Sequence, residues 1–163
     1  MKTLFILRHA KSSWKDESLP DFERPLNRRG KQASEKIARY LKHEQIVPDL
    51  ILCSPAVRAR ETVERVSHAA KLDVEIRFDQ RIYEAGGLRL LEVVSQIENE
   101  RKSVMLVGHN PGLEELLMLL TGSSERLPTA ALARLEIKSS KWANAADRRA
   151  RLAWLVEPGD LPG

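Results

Sequence analysis

Three short apolar runs, Leu4 to Leu7, Leu50 to Cys53 and Val104 to Val107, each stop abruptly at polar residues. A short apolar run without polar alternation reads as a strand covered on both faces, since neither face meets water. Elsewhere the apolar residues recur at helical spacing. Ala33, Ile37, Ala38 and Leu41 predict a helix over residues 28 to 42, and Ala59, Val63, Val66 and Ala70 predict a second. Leu90, Leu91, Val94 and Ile97 predict a third, and Leu113, Leu116, Leu117 and Leu120 a fourth that Gly122 stops. Ser54-Pro55 and Asn110-Pro111 each offer an N-cap followed by the proline favoured in a first helical turn. Val74 to Phe78 alternates as a strand, and Ala131 to Ile137 with Arg151 to Glu157 reads as an antiparallel pair or sheet edge.

Strands alternating with helices imply an α/β fold, a mainly parallel sheet covered on both faces, with ligands bound at the carboxyl ends of the strands. A length of 163 residues suits one domain, and no repeat, low-complexity tract or linker divides it. The single cysteine, Cys53, excludes an intrachain disulfide and reads as a small buried hydrophobe. Only five residues, Thr3 to Leu7, separate Lys2 from Arg8, too few for a signal-peptide core or a membrane span. The expectation is a cytoplasmic protein with no membrane partner. The net charge of +4 suits an anionic substrate, while the interleaving of Lys and Arg with Asp and Glu argues against nucleic acid as a partner. The one locally basic segment, Asp147 to Arg151, reads as a solvated loop.

The polar residues that follow the three apolar runs are Arg8-His9, Ser54 with Arg58 one turn on, and Gly108-His109-Asn110. In a parallel sheet all three groups emerge at one edge, so two histidines and two arginines converge on a single crevice. Guanidinium forks grip tetrahedral oxyanions through paired, charge-assisted hydrogen bonds, which points to a phosphoryl group. A neutral imidazole beside it can attack phosphorus in line, and the arginines and second histidine offset charge on the equatorial oxygens. That chemistry requires no metal or other cofactor.

Leu7-Arg8-His9, Ser54-Pro55-Ala56-Val57-Arg58-Ala59 with Glu61-Thr62, and Val107-Gly108-His109-Asn110 resemble, in order and spacing, the three signatures of the histidine phosphatase superfamily. The likeness is closest to the small phosphohistidine phosphatases of the SixA type, through Arg24-Pro25-Leu26 with Gly30 and through Pro128-Thr129 as well. The resemblance implies a phosphoglycerate mutase-like three-layer sandwich. It also implies His9 as the transiently phosphorylated nucleophile, with Arg8, Arg58 and His109 forming the rest of the phosphate pocket and Asn110 beside them as a substrate contact. Ala10 departs from the glycine common at that position. Glu84 lies where many members carry an acid and is the candidate proton donor, its alternative being a solvated loop residue. Asp21, Arg24 and Asn27 are expected to brace the pocket, while Lys11, Ser12 and Trp14 read first as residues of an exposed polar loop, the alternative being contact with substrate. The substrates expected are a phosphorylated protein, above all phosphohistidine, or a small phosphate ester. A binding module without turnover is a further reading.

Overall fold

The structure, a computed structural model, describes residues 1–147 and 150–163. Ten regular elements follow one another: β1 (Lys2–Arg8), α1 (Arg28–His43), β2 (Leu50–Cys53), α2 (Val57–Ala70), β3 (Ile76–Phe78), α3 (Gly87–Ser95), β4 (Ser103–Gly108), α4 (Gly112–Thr121), β5 (Leu132–Ile137) and β6 (Arg151–Val156). The sheet order is β3-β2-β4-β1-β5-β6. The first four strands in that order run parallel, while β5 and β6 continue the sheet antiparallel from β1 to its edge.

Period-two alternation divides each buried strand between two cores. Leu4 and Ile6 of β1, Leu50 and Leu52 of β2, and Val104 and Leu106 of β4 pack with Leu90, Val93, Leu113, Leu116 and Leu117 of α3 and α4. Phe5, Leu7, Ile51, Cys53, Met105 and Val107 face the opposite way, toward Ile37, Leu41, Val63 and Val66 of α1 and α2. Both faces are therefore dry, which accounts for the missing alternation in the sequence. No helix among the described residues is long and apolar enough to cross a membrane.

Some boundaries differ from the sequence reading. β3 begins at Ile76 rather than Val74, because its only partner, β2, pairs with it from Ile51 to Cys53 alone. α2 begins at Val57 rather than at Ser54-Pro55, since Ala56 remains extended at ψ 141°. The Ser54 hydroxyl instead accepts from the Ala56 N–H at 3.2 Å. α4 starts one residue later than the Asn110 cap predicts, although the Asn110 side chain still accepts from the Glu114 N–H at 3.3 Å. Ile97 lies beyond α3 but is buried in the same core. Of the basic segment expected as a solvated loop, Arg148 and Arg149 lie outside the described residues, and Arg151 opens β6.

α1 presses its first turn onto the loop that follows β1. Asn27 caps the helix by accepting from the Gly30 N–H at 2.8 Å, and its own N–H donates to the Lys11 carbonyl at 3.0 Å. A Cβ on Gly30 would collide with that same carbonyl. Gly30→Ala is therefore expected to cost about 1–3 kcal/mol of stability through overpacking and to lower activity by shifting the loop after His9. Gly159→Ala, where an added Cβ meets nothing within 4 Å, serves as the neutral control. Thermal denaturation of both variants checks the contrast.

Candidate active site

Strand register assembles the site. Arg8 pairs with Gly108, and Cys53 with Val107, so His9, Ser54 and His109 leave three adjacent parallel strands at one level. Two bonds lock this edge: His9 N–H to the Gly108 carbonyl and Ser54 N–H to the Val107 carbonyl, each 3.0 Å.

His9 is only 6% exposed. Its Nδ1 lies 2.7 Å from the Ala10 carbonyl, which can only accept, so Nδ1 carries the hydrogen and Nε2 keeps the lone pair. The Ala10 N–H donates to Thr62 Oγ1 at 2.9 Å, and that hydroxyl donates to the Arg58 carbonyl at 2.7 Å. Ala10 is fully buried and its backbone avoids the left-handed region, so the Cβ that replaces glycine there fits without strain. Burial holds the His9 pKa down at about 4; the Ala10 carbonyl bond opposes this, and the charges of Arg58, Arg8 and Arg24 reinforce it. His109, its ring centroid 5.0 Å from that of His9, lies lower still at about 3, through burial first and then the neighbouring His9 and Arg58. Its Nε2 is 2.7 Å from Ser54 Oγ.

Arg8 donates from Nη1 to the Leu127 carbonyl at 3.0 Å. Arg58, in the first turn of α2, donates from its two terminal nitrogens to the Asp21 backbone carbonyl at 2.8 Å and to Asp21 Oδ2 at 3.0 Å. Asp21 is a hub, since Oδ2 also accepts from the Tyr83 hydroxyl at 2.7 Å and Oδ1 from Arg24. Burial acts to raise its pKa, but the bonds from Tyr83, Arg58 and Arg24 hold it at about 2. The Tyr83 ring meets His109 edge to face at 5.6 Å and Phe22 at 5.0 Å, joining two loops beside the pocket.

The expected residues thus come together, with differing surroundings. A cavity of about 390 Å³ is lined by Asp21, Arg58, Tyr83, Glu84, His109 and Asn110, among others. Glu84 is exposed on that wall, with its backbone in the left-handed region at φ 52°. Asn110 shares the wall, but its amide nitrogen already donates to the Leu127 carbonyl at 2.7 Å and to Glu114 Oε2 at 3.0 Å. Arg24 braces as expected, bonding Ser12 Oγ at 2.7 Å, and it contributes a third guanidinium to the field at His9. Trp14 is 71% exposed and stacks on the Arg24 guanidinium at 3.6 Å. The sequence reading missed Tyr83 and Glu114, because a lone tyrosine or a helix glutamate carries no spacing signal.

Five buried side-chain nitrogen or oxygen atoms lack a partner among the described residues, and three of them are Arg8 Nε, Arg58 Nε and His109 Nδ1. An unpaired buried polar group costs about 1–3 kcal/mol. Their concentration beside a neutral imidazole marks a site built to be completed by an anion.

These features define a phosphate-handling α/β enzyme. The family model described as histidine phosphatase superfamily (branch 1) matches residues 4–88. An uncharacterised chloroplastic protein of Arabidopsis thaliana is 31% identical over 96% of this chain and 76% of its own length. The phosphohistidine phosphatase SixA of Escherichia coli is 28% identical over 66% of this chain and 67% of its own. A crystal structure from Agrobacterium tumefaciens that bears the SixA designation superposes with a TM-score of 0.84 at 32% identity, covering 96% of this chain and 98% of that one. The chain belongs to the histidine phosphatase superfamily, and its family and fold mark it as a phosphatase.

Two pH effects are expected. With His9 as the nucleophile that the resemblance implies, protonating Nε2 removes the attacking lone pair, so kcat/KM should be level above about pH 5 and fall about tenfold per pH unit well below the pKa near 4. Both imidazoles titrate below their unfolded value of about 6.5, so the unfolded chain takes up protons first as pH falls. Stability should therefore decline from about pH 6.5 downward, a trend that denaturation midpoints from pH 7 to 4 would reveal. Midpoints that rise over that interval would contradict the buried neutral pair.

Proposed function

We propose that this phosphatase hydrolyses phosphohistidine in proteins through a phosphorylated His9, without a metal. In the first step the His9 Nε2 lone pair attacks phosphorus, the substrate P–N bond breaks, and the substrate ring, already protonated on its other nitrogen, departs as neutral imidazole. In the second, water attacks phospho-His9, inorganic phosphate leaves and the neutral imidazole returns. Arg8, Arg58 and His109 hold the phosphoryl oxygens in both steps. Positive charge on the two guanidiniums supplies the stabilisation that a metal provides in other phosphoryl-transfer sites.

The observation that carries this reading is the His9 Nδ1 contact with the Ala10 carbonyl, which fixes the nucleophilic tautomer within a pocket of unpaired donors. The acids present support this substrate class. Asp21 is held as a carboxylate by Tyr83, Arg58 and Arg24 and has no proton to give at neutral pH, while Glu84 stands exposed at the rim. A phosphohistidine protonated on its other ring nitrogen releases neutral imidazole, whose conjugate acid has a pKa of about 6.5, far below that of an alcohol, so the bond breaks with little help from an acid of the site. The second reading, a phosphatase of small phosphate esters, assigns Glu84 as general acid and rests on its place in the cavity wall.

Rapid quench with a labelled phosphoryl donor, in the presence of a chelator, is expected to trap acid-labile label on His9. Activity lost to the chelator, or label elsewhere, overturns the mechanism. Glu84→Gln should slow phosphohistidine turnover less than about threefold but aryl phosphate turnover about a hundredfold. Equal large losses on both would favour the ester reading.

A further inference from the structure

We propose that Glu114 is the positioning residue for Arg8, acting through the Leu127 peptide and Asn110. The inference rests on the reading that Arg8 holds the phosphoryl group. Glu114 lies in the first turn of α4, and its Oε2 accepts from the Leu127 N–H at 2.7 Å and from Asn110 Nδ2 at 3.0 Å. The carbonyl of the same Leu127 accepts from Arg8 Nη1 at 3.0 Å and from Asn110 Nδ2 at 2.7 Å. Asn110 in turn accepts from the Glu114 N–H. One carboxylate therefore fixes one end of a residue whose other end fixes the guanidinium.

Leu127 belongs to neither a helix nor a strand, so no ladder sets the direction of its carbonyl. Its side chain is buried, which anchors the residue, but rotation of its backbone is restrained by these bonds. The arrangement also meets an electrostatic need. Arg8 is partly desolvated and shares the site with Arg58, and the nearby charge of Glu114 opposes both effects. A direct Glu114 to Arg8 ion pair would occupy the fork that the phosphoryl oxygens require. Delivered through a peptide, the carboxylate orients Arg8 while leaving its Nε unpartnered.

The test is the affinity for inorganic phosphate and vanadate, measured by calorimetry in a double-mutant cycle with Arg8→Gln. Glu114→Ala should weaken binding about tenfold or more in the wild-type background, in line with the penalty for misplacing a binding group. In the Arg8→Gln background the same change should matter less than about twofold, because effects that pass through one group do not add. Glu114→Gln, whose carbonyl oxygen can accept both bonds, should stay within about threefold of wild type. Glu114→Asp keeps the charge but loses the reach, and should behave as Glu114→Ala does; it stands in if the alanine variant does not fold. Equal losses in both backgrounds, or unchanged affinity in Glu114→Ala and Glu114→Asp, overturn the role of Glu114. Wild-type protein that binds neither anion overturns instead the reading of the site on which the inference rests.

Discussion

Parallel pairing of β1, β2 and β4 in a single register is the constraint on which everything else depends. Had β4 slipped by one residue against β1, its core side chains would exchange faces and His109 would move out of line with His9. Burial of both faces makes such a slip costly, because Val104, Met105, Leu106 and Val107 divide between two separate cores. The geometry of the chemistry is thus held by hydrophobic packing far larger in energy than any bond within the site.

The pocket gathers positive charge and then manages it. Arg8, Arg24 and Arg58 all act on His9, and with burial they keep its ring neutral, which a nucleophile needs. Two carboxylates balance Arg8 and Arg58 in different ways. Asp21 bonds Arg58 directly, whereas Glu114 reaches Arg8 only through Leu127. Direct pairing ties Arg58 to the loop that carries Tyr83's partner; the indirect route leaves more of Arg8 unengaged.

Much of this was legible in the sequence because it depends on period and on strand ends. The uninterrupted apolar runs announced buried parallel strands, and the residues after them announced His9, Arg58 and His109. What stayed hidden depends on tertiary context. The Ser54 hydroxyl looked like a helix cap, but it lies against His109 and the helix begins later. Asn110 read as a substrate contact, yet its amide is bonded to a carbonyl and a carboxylate from elsewhere in the chain. The Leu127 carbonyl has no sequence signature, since every residue carries one. Asp21 was expected to brace the pocket, but its bonds to two arginines and a tyrosine require two loops and the first turn of α2 to meet.

Thr62 has a consequence for what the pocket can distinguish. Its one hydroxyl accepts from the peptide after His9 and donates to the carbonyl of Arg58. The span between the backbone after His9 and the backbone of Arg58, the nucleophile and clamp of the proposed mechanism, is therefore bridged by a single buried side chain. Under that mechanism, such a bridge would let the pocket receive a tetrahedral oxyanion without closing around it. On that mechanism selection falls to the atoms that remain outside, on the side where Glu84 lines the cavity.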